Sequence, residues 1–226
     1  MRRTIDAELL SLVSHELRTP LSRMRWIAES LLDPALGSLT TGQKGAVDDM
    51  LRNTDELNAA VEILLEGATV ALHAGEPIRT AFSLPYLVNH VIKEHPAAPN
   101  IRVSRRFAPS VPHVSADPKG VETAVRLLFS AVCATSPDEK LIVRIGASGK
   151  LVHCAMCTGK DPGPRFSTAF RATTGRDNMG ASPILESHRL RLYVAQSLIH
   201  ASGGAVHVSR KAGPVALSFS LPRSTP

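Results

Sequence analysis

Ser14-His15-Glu16-Leu17-Arg18-Thr19-Pro20-Leu21 brings an imidazole, a carboxylate, a guanidinium and a hydroxyl into eight residues. A neutral imidazole nitrogen is a good nucleophile at pH 7, so His15 is the candidate centre of a group transfer. Glu16, its neighbour, can accept the proton from the other ring nitrogen. Thr19 lies four residues on, one helical turn from His15. Pro20 lacks an N–H and crowds the turn before it, which bends a helix just past the histidine. Ser22 and Trp26 follow His15 by seven and eleven residues, close to whole numbers of turns, and so share its helical face. An outward Trp26 suits a docking partner, since interfaces are enriched in tryptophan; the alternative is that it folds back onto the next helix. Arg18 either meets an anion or is a solvated cation.

The elements that position this octapeptide are legible in the apolar spacing. Leu10, Leu17, Met24 and Leu31 recur every seven residues, with Val13, Pro20 and Ile27 interleaved, the signature of a helix-bundle seam. His15 falls outside that seam. The first helix spans about Ile5 to Leu32, and Asp33-Pro34-Ala35-Leu36-Gly37-Ser38 breaks it. A second heptad run follows at Val47, Met50, Thr54, Leu57, Val61 and Leu64, with acidic residues outside it. Two such helices on a short loop form an antiparallel hairpin that covers only one side of its seam. Dimerisation into a four-helix bundle is the economical solution.

Composition sets the outer bounds. Of 226 residues, 43% are hydrophobic, 20% charged and only 4% aromatic, the profile of a soluble globular protein with an aliphatic core. The net charge of +6 comes without a Lys/Arg cluster of the nucleic-acid type, which favours an acidic protein partner over nucleic acid. Three cysteines point to a reducing compartment. No apolar run reaches the roughly 18 residues of a membrane span, and the N-terminus has no signal-peptide core. A cytoplasmic protein without direct membrane insertion is expected.

Beyond residue 77 the pattern changes. Strands are expected at Ile78 to Leu84, Ile101 to Phe107, Val111 to Val114, Leu141 to Ile145, Leu151 to Met156, Ala205 to Arg210 and Val215 to Leu221. Helices are expected from Pro85 to Glu94, Asp117 to about Ala134 and His188 to Ala201. The stretch from Gly159 to Ser187 is long, polar and irregular. The order lacks βαβ regularity, so this part is α+β with a mixed sheet. The domain boundary falls between residues 1–75 and 76–226. Cys154 and Cys157, with His153, have metal-like spacing, but strand parity points them to opposite faces and they read as core cysteines; no metal site is expected. Gly203-Gly204 and Gly213-Pro214 read as turns.

SHELRTPL resembles the phosphoacceptor motif of bacterial two-component sensor histidine kinases. The hairpin resembles their HisKA-type dimerisation and phosphotransfer domain. Residues 78–226 resemble, in element order, their ATP-binding domain of the Bergerat, or HATPase, type. The resemblance implies an α+β fold: a helical hairpin dimerising into a four-helix bundle, followed by an α/β-sandwich. It also implies that His15 carries a phosphoryl group, and that Glu16 and Thr19 can position water to hydrolyse a phosphorylated receiver. Arg18 and Pro20 complete the motif, and Ser22 and Trp26 are the candidate partner-binding positions.

The second half departs from the family where nucleotide chemistry resides. Ser130 stands where an asparagine would coordinate Mg²⁺, and a serine hydroxyl is a poorer ligand for a hard cation. Counting strand alternation puts Thr158 where an aspartate would read adenine; a three-residue slide substitutes Asp161 but leaves prolines among the glycine positions. Arg189-Leu190-Arg191-Leu192 replaces a Gly-Leu-Gly-Leu turn whose backbone would approach phosphates. Phe166 and Phe170 resemble remnants of lid anchors, while Leu190, Val194 and Leu198 keep the last helix packed. No cofactor is expected to be tightly bound, and neither ATP binding nor autokinase activity is expected.

Three readings follow. In the leading one the chain is a homodimeric phosphotransfer protein whose His15 exchanges phosphoryl groups with response-regulator receiver domains, the receivers supplying Mg²⁺. The second is an active sensor kinase core with an atypical nucleotide site. The third is a pseudokinase scaffold or receiver phosphatase.

Overall fold

A computed structural model describes residues 7–73, 79–95, 101–135, 140–158, 188–208 and 216–224. The chain divides into two compact units, Met1–Leu72 and His73–Pro226.

The first unit is two helices, α1 (Ala7–Leu31) and α2 (Thr41–His73). Between them Asp33 accepts from the Ala35 N–H and caps a single 3-10 turn, Pro34–Leu36. Gly37 ends that turn at φ +106°, a left-handed backbone that favours glycine. Thr40 and Gln43 form a reciprocal cap at the start of α2. Arg18 pairs with Glu62 and Arg25 with Asp55, so moving seven residues up α1 moves seven back down α2, and the hairpin is antiparallel.

Within one chain, burial reaches only one edge of the α1 stripe. The line that sinks inward is Ser14 and Leu21, half-buried, and Ala28, fully buried. The expected seam residues Val13, Leu17, Met24, Ile27 and Leu31 remain exposed within the chain. On α2 the run splits: Val47 and Thr54 are buried and Val61 half-buried, whereas Met50, Leu57 and Leu64 are exposed. A heptad stripe is two residues wide, and one neighbouring helix covers only one edge of it.

The second unit is an α/β sandwich. A five-stranded sheet runs in the order β2-β4-β5-β7-β6, with β2 (Val103–Phe107), β4 (Leu141–Ser148), β5 (Leu151–Thr158), β6 (Ala205–Val208) and β7 (Ala216–Pro222). β2 and β4 are parallel and the remaining pairs antiparallel, which makes the sheet mixed as expected. β1 (Thr80–Phe82) and β3 (Val114–Ala116) form a separate antiparallel pair. The β3 strand lies later than the expected 111–114, because Pro112 cannot donate to a ladder and the register locks Thr80 against Ala116. Three helices complete the unit: α3 (Leu84–Glu94), α4 (Pro118–Thr135) and α5 (Arg189–Ala201).

Alternate residues of the central strands, Val143, Ile145, Cys154, Met156, Leu217 and Phe219, are almost completely buried, and α4 and α5 pack on that layer. Cys157 belongs to the opposite face, in a small cluster with Ile142, Ala155 and Ala216. Both cysteines are therefore buried as expected, and Cys133 on α4 is buried too. Burial pushes the Cys133 thiol up to about 11. Gly204 admits no side chain, since a Cβ there would lie 2.1 Å from the Ser220 carbonyl oxygen. The stretch 159–187, with Asp161, Phe166 and Phe170, and the Gly213-Pro214 turn lie outside the described residues. Among the described residues no helix is long and apolar enough to cross a membrane.

Candidate functional site

His15 stands in the middle of α1 with its side chain 79% exposed. An open groove on the same helix is lined by His15, Arg18, Thr19, Ser22, Arg23 and Trp26, the i, i+3, i+4, i+7, i+8 and i+11 positions of one face. Trp26 is 68% exposed, so within the chain it does not fold back onto α2. Arg23 is the member of this set that the spacing argument did not single out; its i+8 position is the signal that identifies it.

Each side chain near His15 has a definite tether. Thr19 Oγ1 donates to the His15 carbonyl at 2.9 Å, the i−4 back-bond available to helical threonines. Its hydroxyl proton is thereby committed, while its oxygen can still accept from a water. Glu16 Oε1 lies 3.9 Å from His15 Nδ1, within ion-pair reach but beyond hydrogen-bond distance. The carboxylate must swing closer to take a proton, and its exposure leaves room for that. The Arg18 guanidinium is 3.9 Å from the Glu62 carboxylate. Arg25, two turns below, bonds both Glu29 and Asp55, and these carboxylates raise its already high pKa. α1 continues through Pro20, which leaves the Glu16 carbonyl without its i+4 amide.

The nucleotide-type positions of the second unit are engaged differently. Ser130 Oγ is 2.7 Å from His95 Nε2, and the His95 ring stands edge-on to Phe129 with centroids 4.9 Å apart. His95 is half-buried, and burial lowers its pKa. Thr158, at the end of β5, is only 2% exposed, and its hydroxyl has no hydrogen-bond partner among the described residues. Arg189 is exposed at the start of α5, whereas Arg191 is half-buried and bonds His188 Nδ1 at 2.8 Å. Burial, then the Arg191 charge, lowers the His188 pKa. Val194 and Leu198 are buried against the core, as expected, and Leu190 is half-buried.

Residues 6–69 match the His Kinase A (phospho-acceptor) domain. The chain is 25% identical over 219 residues to the sensor histidine kinase GtrS of Pseudomonas aeruginosa, covering 96% of this chain and 42% of that protein. It is 30% identical over 141 residues to the cell-division control histidine kinase PdhS of Brucella anthropi, covering 60% of this chain and 13% of that one. It thus spans less than half the length of either relative. Among solved structures, full-length ShkA in complex with AMPPNP superposes with a TM-score of 0.58 at 23% identity, over 98% of this chain and 47% of that one. The Acinetobacter baumannii histidine kinase AdeS gives 0.54 at 15% identity, over 93% and 98%. These structures share the two-part fold. Residues 6–69 are thus a His Kinase A (phospho-acceptor) domain, and the chain is similar to the transmitter core of sensor histidine kinases, a HisKA hairpin followed by a HATPase-like sandwich.

Proposed function

We propose that this chain is a phosphotransfer protein of two-component signalling, in which His15 receives a phosphoryl group from the aspartate of a response-regulator receiver and returns it to another. The observation that carries this reading is the open imidazole of His15 within the family-matched residues, on a face shared with Thr19, Ser22 and Trp26. In the forward step a ring nitrogen attacks phosphorus and a P–N bond forms. The P–O bond to the receiver breaks and its aspartate leaves as the carboxylate. The proton on the other ring nitrogen passes to Glu16 or to water. Both phosphorylated species are high in energy, so catalysis is mostly positioning and charge neutralisation.

Loading from another protein rather than from ATP is supported by the donor set of the second unit. The family's metal position holds a serine hydroxyl already bonded to an imidazole, and the phosphate turn holds arginines, one of them tied to His188. These donors do not fit a Mg²⁺-nucleotide, which asks for hard oxygen ligands and close backbone approach. The receiver therefore supplies Mg²⁺. We place the protein in the cytoplasm as a homodimer, consistent with the partners and dimerisation that the family implies.

Incubation with a receiver labelled on its aspartate tests the reading: label moves to His15 and His15→Ala abolishes it. One observation favours an active kinase instead, the buried Thr158 hydroxyl, which has no partner among the described residues and which a nucleotide base would satisfy. Label gained by His15 from Mg-ATP alone would establish that reading and sink ours. No label from either source leaves a scaffold role. If Thr19 positions water for receiver dephosphorylation, Thr19→Ala slows that hydrolysis while His15 labelling persists.

A further inference from the structure

The first unit is acidic overall, with 7 Lys and Arg against 11 Asp and Glu, a net charge of −4; the second carries 19 against 9, or +10. The chain's total of +6 therefore says nothing about attraction toward His15. Any steering of a partner must come from charges local to the groove. A protein that holds a phosphoaspartate with Mg²⁺ needs clustered carboxylates, so the rim it presents to His15 is acidic.

Three arginines of α1 lie within reach of that approach. Arg18 is held toward Glu62, and Arg25 is bonded to Glu29 and Asp55. Arg23 lines the groove and has no ion pair among the described residues. Helix geometry sets its reach: eight residues separate it from His15, about 12 Å along the axis. Its side chain leans toward the N-terminus, hence toward His15. That span is too long for Arg23 to clamp a phosphoryl group on the imidazole, but it suits a carboxylate on the partner's rim. Trp26 beside it supplies apolar area, the usual pairing at an interface anchor.

Building on the phosphotransfer reading, we infer that Arg23 is the electrostatic anchor of this groove, holding an acidic rim residue of the phosphoryl-bearing partner and setting docking rather than chemistry.

The test uses the full chain and receiver domains phosphorylated with labelled acetyl phosphate, taking forward one that labels His15. Arg23→Ala should raise the receiver concentration for half-maximal transfer about five- to tenfold at low salt and leave the maximal rate unchanged. The difference should shrink toward zero at 0.5 M salt, since an exposed charge pair is screened there. Arg23→Lys should recover most of the loss. Arg52→Ala, which removes one positive charge from α2 away from the groove, should behave as the parent. Helical circular dichroism of each variant excludes unfolding as the cause. Label on the parent with Arg23→Ala indistinguishable from it, or a fall in maximal rate alone, overturns the anchor and leaves the phosphotransfer reading intact. Failure of every receiver to label the parent overturns both.

Discussion

Thr158 shows how much a single hydroxyl decides in this chain. Strand alternation placed it at the end of β5, but only the folded sheet reveals that it is buried without a partner among the described residues. Burying an unmet hydroxyl costs about 1–3 kcal/mol. Thr158→Val keeps the shape and deletes the polar atom. In the ligand-free protein it should therefore stabilise the second unit by about 1 kcal/mol, read as a higher urea midpoint. A lower midpoint would mean that Thr158 has a partner in the folded chain. Ser130 is the converse case. Its type marked it as a poor metal ligand, yet nothing in the sequence linked it to His95, 35 residues away. Long-range pairs of this sort leave no periodic trace. His15, Glu16 and Thr19 were legible together because their chemistry sits within one helical turn. The 3.9 Å gap between His15 and Glu16 was not, since spacing fixes a face and not a rotamer.

At the scale of elements, periodicity carried most of the fold: both long helices, α3 to α5 and the five strands of the main sheet lie close to where apolar spacing and turn residues put them. The β3 strand was misplaced because its register depends on which neighbour it pairs with, and a repeat of 2 residues does not encode the neighbour. Which edge of the α1 stripe is covered within the chain is likewise not encoded in its 3.5-residue repeat. Pro20 is an element-scale feature with a measurable cost. Proline inside a helix removes one hydrogen bond and clashes with the preceding turn, roughly 3 kcal/mol in an interior position. Pro20→Ala returns an amide to the Glu16 carbonyl and should raise the stability of the hairpin by about 1–3 kcal/mol. The lone tryptophan, Trp26, lies on the same helix, so its emission during thermal unfolding checks this directly. An unchanged or lower midpoint would show that the proline is accommodated without loss.

At the scale of the whole molecule, the two units differ in charge and in what acid does to them. The exposed line of Leu17, Met24 and Leu31 on α1, with Met50, Leu57 and Leu64 on α2, is the apolar surface on which our dimer reading rests. Light scattering should give twice the 24.2 kDa chain mass, and Leu57→Glu with Leu64→Glu should return a monomer. The histidines whose pKa is lowered, His95, His188 and His207, all belong to the second unit, and burial is the leading cause in each. Unfolded, each returns to about 6.5. Below that value the unfolded chain binds more protons than the folded one, so stability falls as pH drops. Their contribution is complete above about pH 6.5 and is lost progressively beneath it. Acid also adds positive charge to a unit that already carries a net +10, which acts in the same direction. Calorimetry should therefore resolve a transition, silent in Trp26 emission, whose midpoint is lower at pH 5.5 than at pH 7.5. Replacing the three histidines with glutamine should flatten that dependence. A second-unit midpoint that holds steady or rises on acidification would show that these imidazoles take up protons without unfolding the sandwich.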